Sequence, residues 1–371
     1  MDNLEIVPVE DDRARREFLS LPYRLYKNDP YWVPPLRLAQ KELFDTSKHP
    51  FYLHARAQRF LARRSGETVG RIGAILDPHY DKFQGEKAGF FGFLEMIDDA
   101  EVASRLLRAA RAWLLEHGAE VILGPVNPTT NYECGLLVEG FDSNPVVMMT
   151  YNPPYYNAHV EQAGLTKAKD LIAYDLPVLQ AKSDRVNTLT QRAESNGMRI
   201  RPLRMADFDQ EVERVWAIYN SAWEKNWGFV PMSREEFFHH GHEMKQILVP
   251  ELALFAESGG QTAGFALAVP DINEALKHVS DGRLLPFGLL KLLWYQRRVK
   301  RLRVVLLGVR EEFRATPAAA GLYAALIREC GRLGYSGAEC SWVLEDNVLM
   351  RRAIESLGGV AYKTYRIYEW K

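Results

Sequence analysis

Apolar and polar positions alternate over MRIRPL (198–203), which predicts a short strand. From Asp207 to Trp223 the spacing changes to three and four, which predicts an amphipathic helix with Asp207 as its N-cap. LALFAES and TAGFALAVP then read as a hairpin across SGGQ. RVVLLGV (303–309) is apolar throughout and suits a central strand. Ala318 to Leu333 is helical, with Pro317 at a position that suits helix entry. GAECSWVL is a further strand, Asn347 to Leu357 a short helix, and AYKTYRIYEW a last strand. Earlier in the chain, FFGFLEM leads through MIDDAEV into a long helix ending near Gly118. The class is α/β, with a mixed and partly parallel sheet flanked by helices.

The pattern occurs twice. Pro8 and Pro202, Gly70 and Gly264, Gly164 and Gly358, and Tyr174 and Tyr368 are each 194 positions apart. Residues 1–178 and 179–371 are therefore read as two copies of one fold. Gly118 and Gly164 are 46 positions apart whereas Gly334 and Gly358 are 24 apart, so the first copy carries 22 extra residues there. That insertion is rich in turn formers and holds Asn127 and Glu133, which are candidate substrate contacts on a loop between strands. Turn side chains that satisfy their own backbone are the alternative. A compensating insertion, 270–303, lies in the second copy. Its apolar run from Leu284 to Tyr295 precedes a cationic run from Arg297 to Arg303, the composition of a segment lying in a membrane interface. Packing on the sheet, or roofing an acyl-chain tunnel, fits the same residues.

With 47% hydrophobic and 26% charged residues the chain is globular rather than disordered. Its 47 cationic and 48 anionic side chains do not make the broad positive face of a nucleic-acid binder. Three cysteines without a CxxC pair give neither a disulfide framework nor a zinc site. His239 and His242 lack an evident third ligand, so no metal is expected. The opening MDNLEIVPVEDDR lacks the order of a signal peptide, and no run of about 18 apolar residues is present. A cytoplasmic location is expected, peripheral on the inner membrane face if the second insertion docks there.

The element order resembles the GNAT (GCN5-related N-acetyltransferase) superfamily, in two tandem copies. The resemblance rests on GVREEFRATPAAAGLYAAL (308–326), which stands where the family's R/Q-x-x-G-x-G/A loop holds the pyrophosphate of acyl-CoA. Arg314 and Ala319 fill the outer places, and Pro317 replaces the central glycine, removing one N–H. Asn347 and Gly358 keep a family spacing of eleven, while Ile354 stands where many members carry a tyrosine acid. The resemblance implies an acyl-CoA co-substrate held by Val309, Arg310, Arg314, Ala315, Ala318, Ala319 and Asn347. The first copy is expected to lack this site, because its corresponding MIDDAEV turn carries three acids that repel phosphate.

Amide formation from a thioester needs an acceptor for the amine proton, and Glu339 is the first candidate base. Glu345 and Asp346 come second. Asn347 is a further catalytic candidate, Tyr365 and Tyr368 on the last strand are candidates to replace the missing tyrosine acid, with packing the alternative, and the Val309 N–H is the candidate oxyanion donor if its strand is splayed. Trp223, Asn226, Trp227 and Phe229 form a candidate acceptor wall. Tandem architecture and the closing WVLEDN…YKTYRIYE pattern also resemble bacterial ceramide synthase-type N-acyltransferases, which implies a lipid amine such as a sphingoid base. Acetylation of a small or peptide amine, and a non-catalytic binding module, remain open at this point.

Overall fold

The computed structural model describes residues 4–178 and 183–370. Along the first part of the chain run β1 (Leu4–Pro8), α1 (Asp12–Leu25), α2 (Arg37–Leu43), β2 (Arg56–Arg64), β3 (Glu67–Leu76), α3 (Pro78–Gln84), β4 (Ala88–Met96) and α4 (Ala100–Glu116). Then follow β5 (Val121–Gly124), β6 (Val126–Asn127), β7 (Glu133–Cys134), β8 (Leu136–Glu139), α5 (Tyr155–Gln162) and β9 (Thr166–Pro177). The second part has α6 (Ser183–Ser195), β10 (Arg199–Pro202), α7 (Phe208–Ala222), α8 (Arg234–Met244), β11 (Ala253–Ser258), β12 (Gln261–Pro270), α9 (Asn273–Leu276) and α10 (Gly288–Gln296). It ends with β13 (Arg301–Val309), α11 (Ala318–Arg332), β14 (Gly337–Leu344), α12 (Val348–Ser356) and β15 (Val360–Trp370).

Contacts group the chain into two units. Unit 1 is Met1–Leu171, Ala275–Tyr295 and Lys363–Lys371; unit 2 is Ile172–Glu274 and Gln296–Tyr362. They differ from two contiguous halves in two ways. Ala275–Tyr295, the middle of the second insertion, belongs to unit 1, and the terminal strand of each half crosses into the unit of the other. The physical reason is strand pairing. Tyr368, Glu369 and Trp370 pair antiparallel with Gly124, Leu123 and Ile122, and Tyr365 pairs with Leu137. In return Val178 N–H bonds to Ser336 O, next to β14. The 194-residue repeat survives the exchange. Tyr174 donates to Glu355 within unit 2, and Tyr368 donates to Glu161 within unit 1, both at 3.1 Å.

In unit 1, β1 to β4 form antiparallel pairs, and β4 then runs parallel to β5. Helix α4 covers this sheet with Val102, Leu106, Leu107, Ala110 and Leu114, which pack on Ala62, Ile72, Ala74 and Phe91. Those spacings of three and four make one apolar face. Unit 2 repeats the plan: β10 to β13 are antiparallel and β13 runs parallel to β14. Helix α11 packs Ala318, Leu322, Ala325 and Leu326 over Leu254, Ala266, Ala268 and Leu302. Burying each leucine contributes roughly 1.5–3 kcal/mol, so Leu322→Ala removes about 2–5 kcal/mol. Gly70 and Gly264 occupy equivalent places beneath the two helices. A Cβ on Gly70 would stand 2.7 Å from Leu106, and one on Gly264 2.7 Å from the Gly308 carbonyl.

Asp207 stands at the N-cap of α7, but its side chain makes no capping bond, unlike the sequence expectation.

Candidate functional site

In unit 2 the two parallel central strands part. β13 and β14 are in register only from Arg301–Gly337 to Val304–Cys340. β13 bulges just beyond: Ala268 faces Val304 and Leu267 faces Leu306, so Val305 is the extra residue. A bulge bends its strand away from a neighbour. Past it, the ladder with β12 fixes which way the backbone points. Arg310 N–H bonds to Ala263 O. Antiparallel pairs alternate between bonded and non-bonded, so Leu307 and Val309 turn their N–H and C=O groups away from β12, to the side that β14 has left. The run Val304–Leu307 is only half-buried although β13 is a central strand. At the root of the parting lies an apolar cavity of about 30 Å³, lined by side chains including Leu302, Val304, Tyr323, Ala338 and Cys340.

Helix α11 begins beside the end of β13. Pro317 is its N-cap and provides no capping side chain, while Ala318 N–H reaches Thr316 Oγ1 at 3.4 Å. First-turn amides have no intrahelical acceptors, and the helix dipole adds positive potential there. The connecting loop is electrically balanced. Arg310 pairs with Glu312 at 2.7 Å, Lys225 with Glu311 at 2.7 Å, and Arg314 with Glu311 at 3.8 Å. Lys225, hydrogen-bonded to Glu311, holds that carboxyl below its ordinary range. Arg314 also donates to Ala222 O, tying the loop to the end of α7. Ala315 is exposed, Ala318 buried and Ala319 half-buried.

Glu339 is fully buried on β14. Ser341 Oγ donates to one of its oxygens at 2.5 Å, and the Tyr362 hydroxyl donates to the other. Arg303, in register with Glu339 on β13, donates to Ser341 Oγ at 3.1 Å and covers the Trp342 ring at 5.5 Å. A buried carboxylate is tolerable when its lone pairs are satisfied and a cation is near. The sequence offered Glu339 as a candidate base but did not single out its neighbours Arg303, Ser341 and Tyr362. The two-residue spacing of Glu339 and Ser341 on a strand was the available signal.

The remaining candidates separate. Asn347 caps α12, accepting from Met350 N–H at 3.1 Å. Tyr365 and Tyr368 are buried in unit 1. Trp223 lies against Gly308, where a Cβ would stand 2.4 Å from its ring. Trp223 and Phe229 both pack on Tyr219, with centroids 5.1 and 5.6 Å apart. Phe229 is buried, whereas Asn226 and Trp227 are half-buried in the turn after α7. His239 faces Glu243 at 3.6 Å and His242 faces Asp209 at 3.4 Å. Burial pushes the Cys340 thiol up to about 12, with Glu339 adding to it, so Cys340 is a core thiol and not a nucleophile.

Unit 1 has the same parting, filled from within. β4 pairs with β5 only from Ala88–Val121 to Phe90–Leu123, and it bulges between Gly92 and Glu95 with Phe93 at φ 53°. The β6–β7 ribbon lies on the gap. The Val126 carbonyl packs so closely on Gly92 that no Cβ fits, and Asn127 Oδ1 accepts the Phe93 N–H at 2.6 Å. The oxygen of Asn127, expected to meet substrate, is thus spent on the protein's own bulge. Its ladder partner Glu133 is exposed. At the start of α4, Asp99 accepts the N–H groups of Glu101 and Val102 and pairs with Arg64 at 2.6 Å. A carboxylate of the chain itself occupies the anion position. Elsewhere in unit 1, His54, Asp77 and His79 bring ligand-type atoms within 4.8 Å, with Asp77 also capping α3.

Two units with a bulged strand, a parted parallel pair and a central helix define a tandem GNAT fold. A tandem GNAT protein from the clavulanic acid biosynthesis pathway superimposes with a TM-score of 0.59 at 14% identity, covering 99% of this chain and 98% of that one. No protein-family model matches the chain. Over 374 aligned positions it is 37% identical to a bacterial ceramide synthase of Caulobacter vibrioides, covering 99% of this chain and 97% of the relative. It is also 37% identical to protein YghO of Escherichia coli, over 95% of this chain and 92% of that protein. The chain belongs to the family of these two proteins, and it is an N-acyltransferase of tandem GNAT type.

Proposed function

We propose that unit 2 transfers an acyl group from acyl-CoA to a lipid amine such as a sphingoid base. One observation carries this: the start of α11, where Pro317 gives no side-chain cap, and the outward-turned amides of Leu307 and Val309 border the same parting, and Glu339 is buried on the facing strand just before it opens, opposite Arg303. The name of the Caulobacter relative supports the lipid acceptor. The first-turn amides of α11, with Arg310, Arg314, Ala315, Ala318 and Ala319 around them, receive the pyrophosphate. Arg310 and Arg314 exchange their carboxylate partners for phosphate on binding. The Val309 N–H donates to the thioester oxygen as negative charge develops there.

The amine nitrogen attacks the thioester carbonyl, and Glu339 takes its proton, directly or through one water. The C–N bond forms, the C–S bond breaks, and the thiolate leaves as CoA. The Tyr362 hydroxyl, bonded to Glu339, passes a proton back toward the thiolate. Trp223 walls the acceptor side at Gly308.

The test is purified protein with palmitoyl-CoA and sphinganine, following free thiol and the N-acyl product by mass spectrometry. Amide formation that Glu339→Gln abolishes supports the reading. Turnover of only acetyl-CoA with a small polyamine overturns the lipid acceptor.

A further inference from the structure

Helix α10 and the turn before it carry the most exposed apolar side chains of any one segment in the described residues. Leu285 is 78% exposed, Phe287 67%, Leu290 66%, Trp294 59% and Leu293 51%. They share one side. Leu284, Leu292 and Tyr295 are half-buried, and the ring of His278 stacks on Tyr295 at 3.6 Å. The base of the segment is fixed to unit 1 from the opposite end of the sequence. Arg37 N–H and Nε bond to Gly282 O and Asp281 O at 2.9 and 2.8 Å, and the Arg37 guanidinium lies over the Tyr23 ring. Leu38, the next residue, is 66% exposed as well. The apolar face is therefore held out on a rigid footing rather than being a loose loop.

We infer that this face is a docking surface for an anionic phospholipid bilayer. Soluble proteins rarely expose so large an apolar cluster unless something covers it. Charge complementarity selects the occupant. Lys277, Arg283 and Lys291 are exposed within the same segment, Asp281 is the sole acid between Ala275 and Tyr295, and the chain leaves the helix through exposed Arg297 and Arg298. Apolar and aromatic side chains entering the acyl boundary beneath a ring of cations at the headgroups are what an interfacial helix presents. At nine residues α10 is about 13 Å long. It lies in the interface and does not cross it, in keeping with the described residues holding no helix long and apolar enough to span. Arg301 and Arg303, which the sequence placed among the headgroup cations, are instead strand residues. Arg303 is buried against Ser341, and Arg301 pairs with Asp175. The proposal deepens the lipid-amine reading by giving the acceptor a bilayer source, but its test does not depend on that reading.

The test is co-sedimentation of the full chain with phosphatidylcholine vesicles, with and without phosphatidylglycerol. The expected result is binding at least about tenfold tighter to the anionic vesicles. In the variant Leu290→Glu/Leu293→Glu that binding falls by about tenfold or more, with an unchanged circular dichroism spectrum and melting temperature. Equal sedimentation of variant and wild type, or none by either, overturns the inference. So does a wild-type dimer in light scattering that the variant splits into monomers, which would assign the face to a second copy. CoA release with a detergent-dispersed amine is measured in parallel. It is expected to be the same in both proteins, and its failure would count against the transferase reading alone.

Discussion

Asn127 Oδ1 accepts the Phe93 N–H at 2.6 Å, at the bulge of unit 1 that corresponds to Val305 in unit 2. One copy of the fold answers its own bulge with a side chain, whereas the run Val304–Leu307 around the other bulge is half-buried. The expected outcome is one CoA bound per chain by isothermal titration. Asn127→Ala leaves that stoichiometry at one but strands a buried N–H, lowering stability by about 1–3 kcal/mol in urea unfolding. Two sites per chain would refute the assignment to unit 2.

Glu339 sets a second expectation. Glu339→Gln is isosteric and keeps an acceptor for Ser341, so folding is retained. A lost general base lowers kcat by about a hundredfold to ten-thousandfold, with KM for acyl-CoA little changed. Tyr362→Phe removes the hydrogen bond to that carboxyl and the route by which a proton returns to the thiolate, so kcat is expected to fall by about a hundredfold or more. An unchanged kcat would leave Tyr362 with a packing role.

The Arg366 guanidinium meets Asp170 through two bonds, at 2.8 and 3.0 Å. Burial of Asp170 favours its neutral form, but hydrogen bonds from Arg366 and Lys167 outweigh it and hold the carboxyl below its ordinary value. A depressed folded pKa stabilises the protein above the unfolded Asp value of about 3.9, and that contribution fades as pH falls below it. Asp170→Asn therefore costs about 2 kcal/mol at neutral pH. Melting curves of variant and wild type converge as the pH is taken below about 4.

All three cysteines are buried, and burial pushes both Cys330 and Cys340 up to about 12. At pH 8 about one such thiol in ten thousand is ionised. The native protein is expected to be inert to iodoacetamide, with three thiols appearing only on unfolding. Rapid native labelling of Cys340 would contradict the packing around it.

Much of this was legible in the chain. GAECSWVL is β14 residue for residue, and the strand and helix patterns on either side of Pro317 were correctly typed, because alternation and three-to-four spacing are local signals. Long-range partners were not legible. Nothing in YKTYRIYE says which sheet the strand will join, so the exchange of final strands was invisible. Arg303 read as surface cation because its neighbour Ser341 is 38 residues away. Asn127 read as a substrate contact for the same reason, since its partner Phe93 is 34 residues away.

Because each half lends its closing strand to the unit of the other, neither half is self-sufficient. Separate expression of residues 1–178 and 179–371 would yield two pieces, each with an open slot where a foreign strand belongs. After the trade the two repeats are committed to one polypeptide.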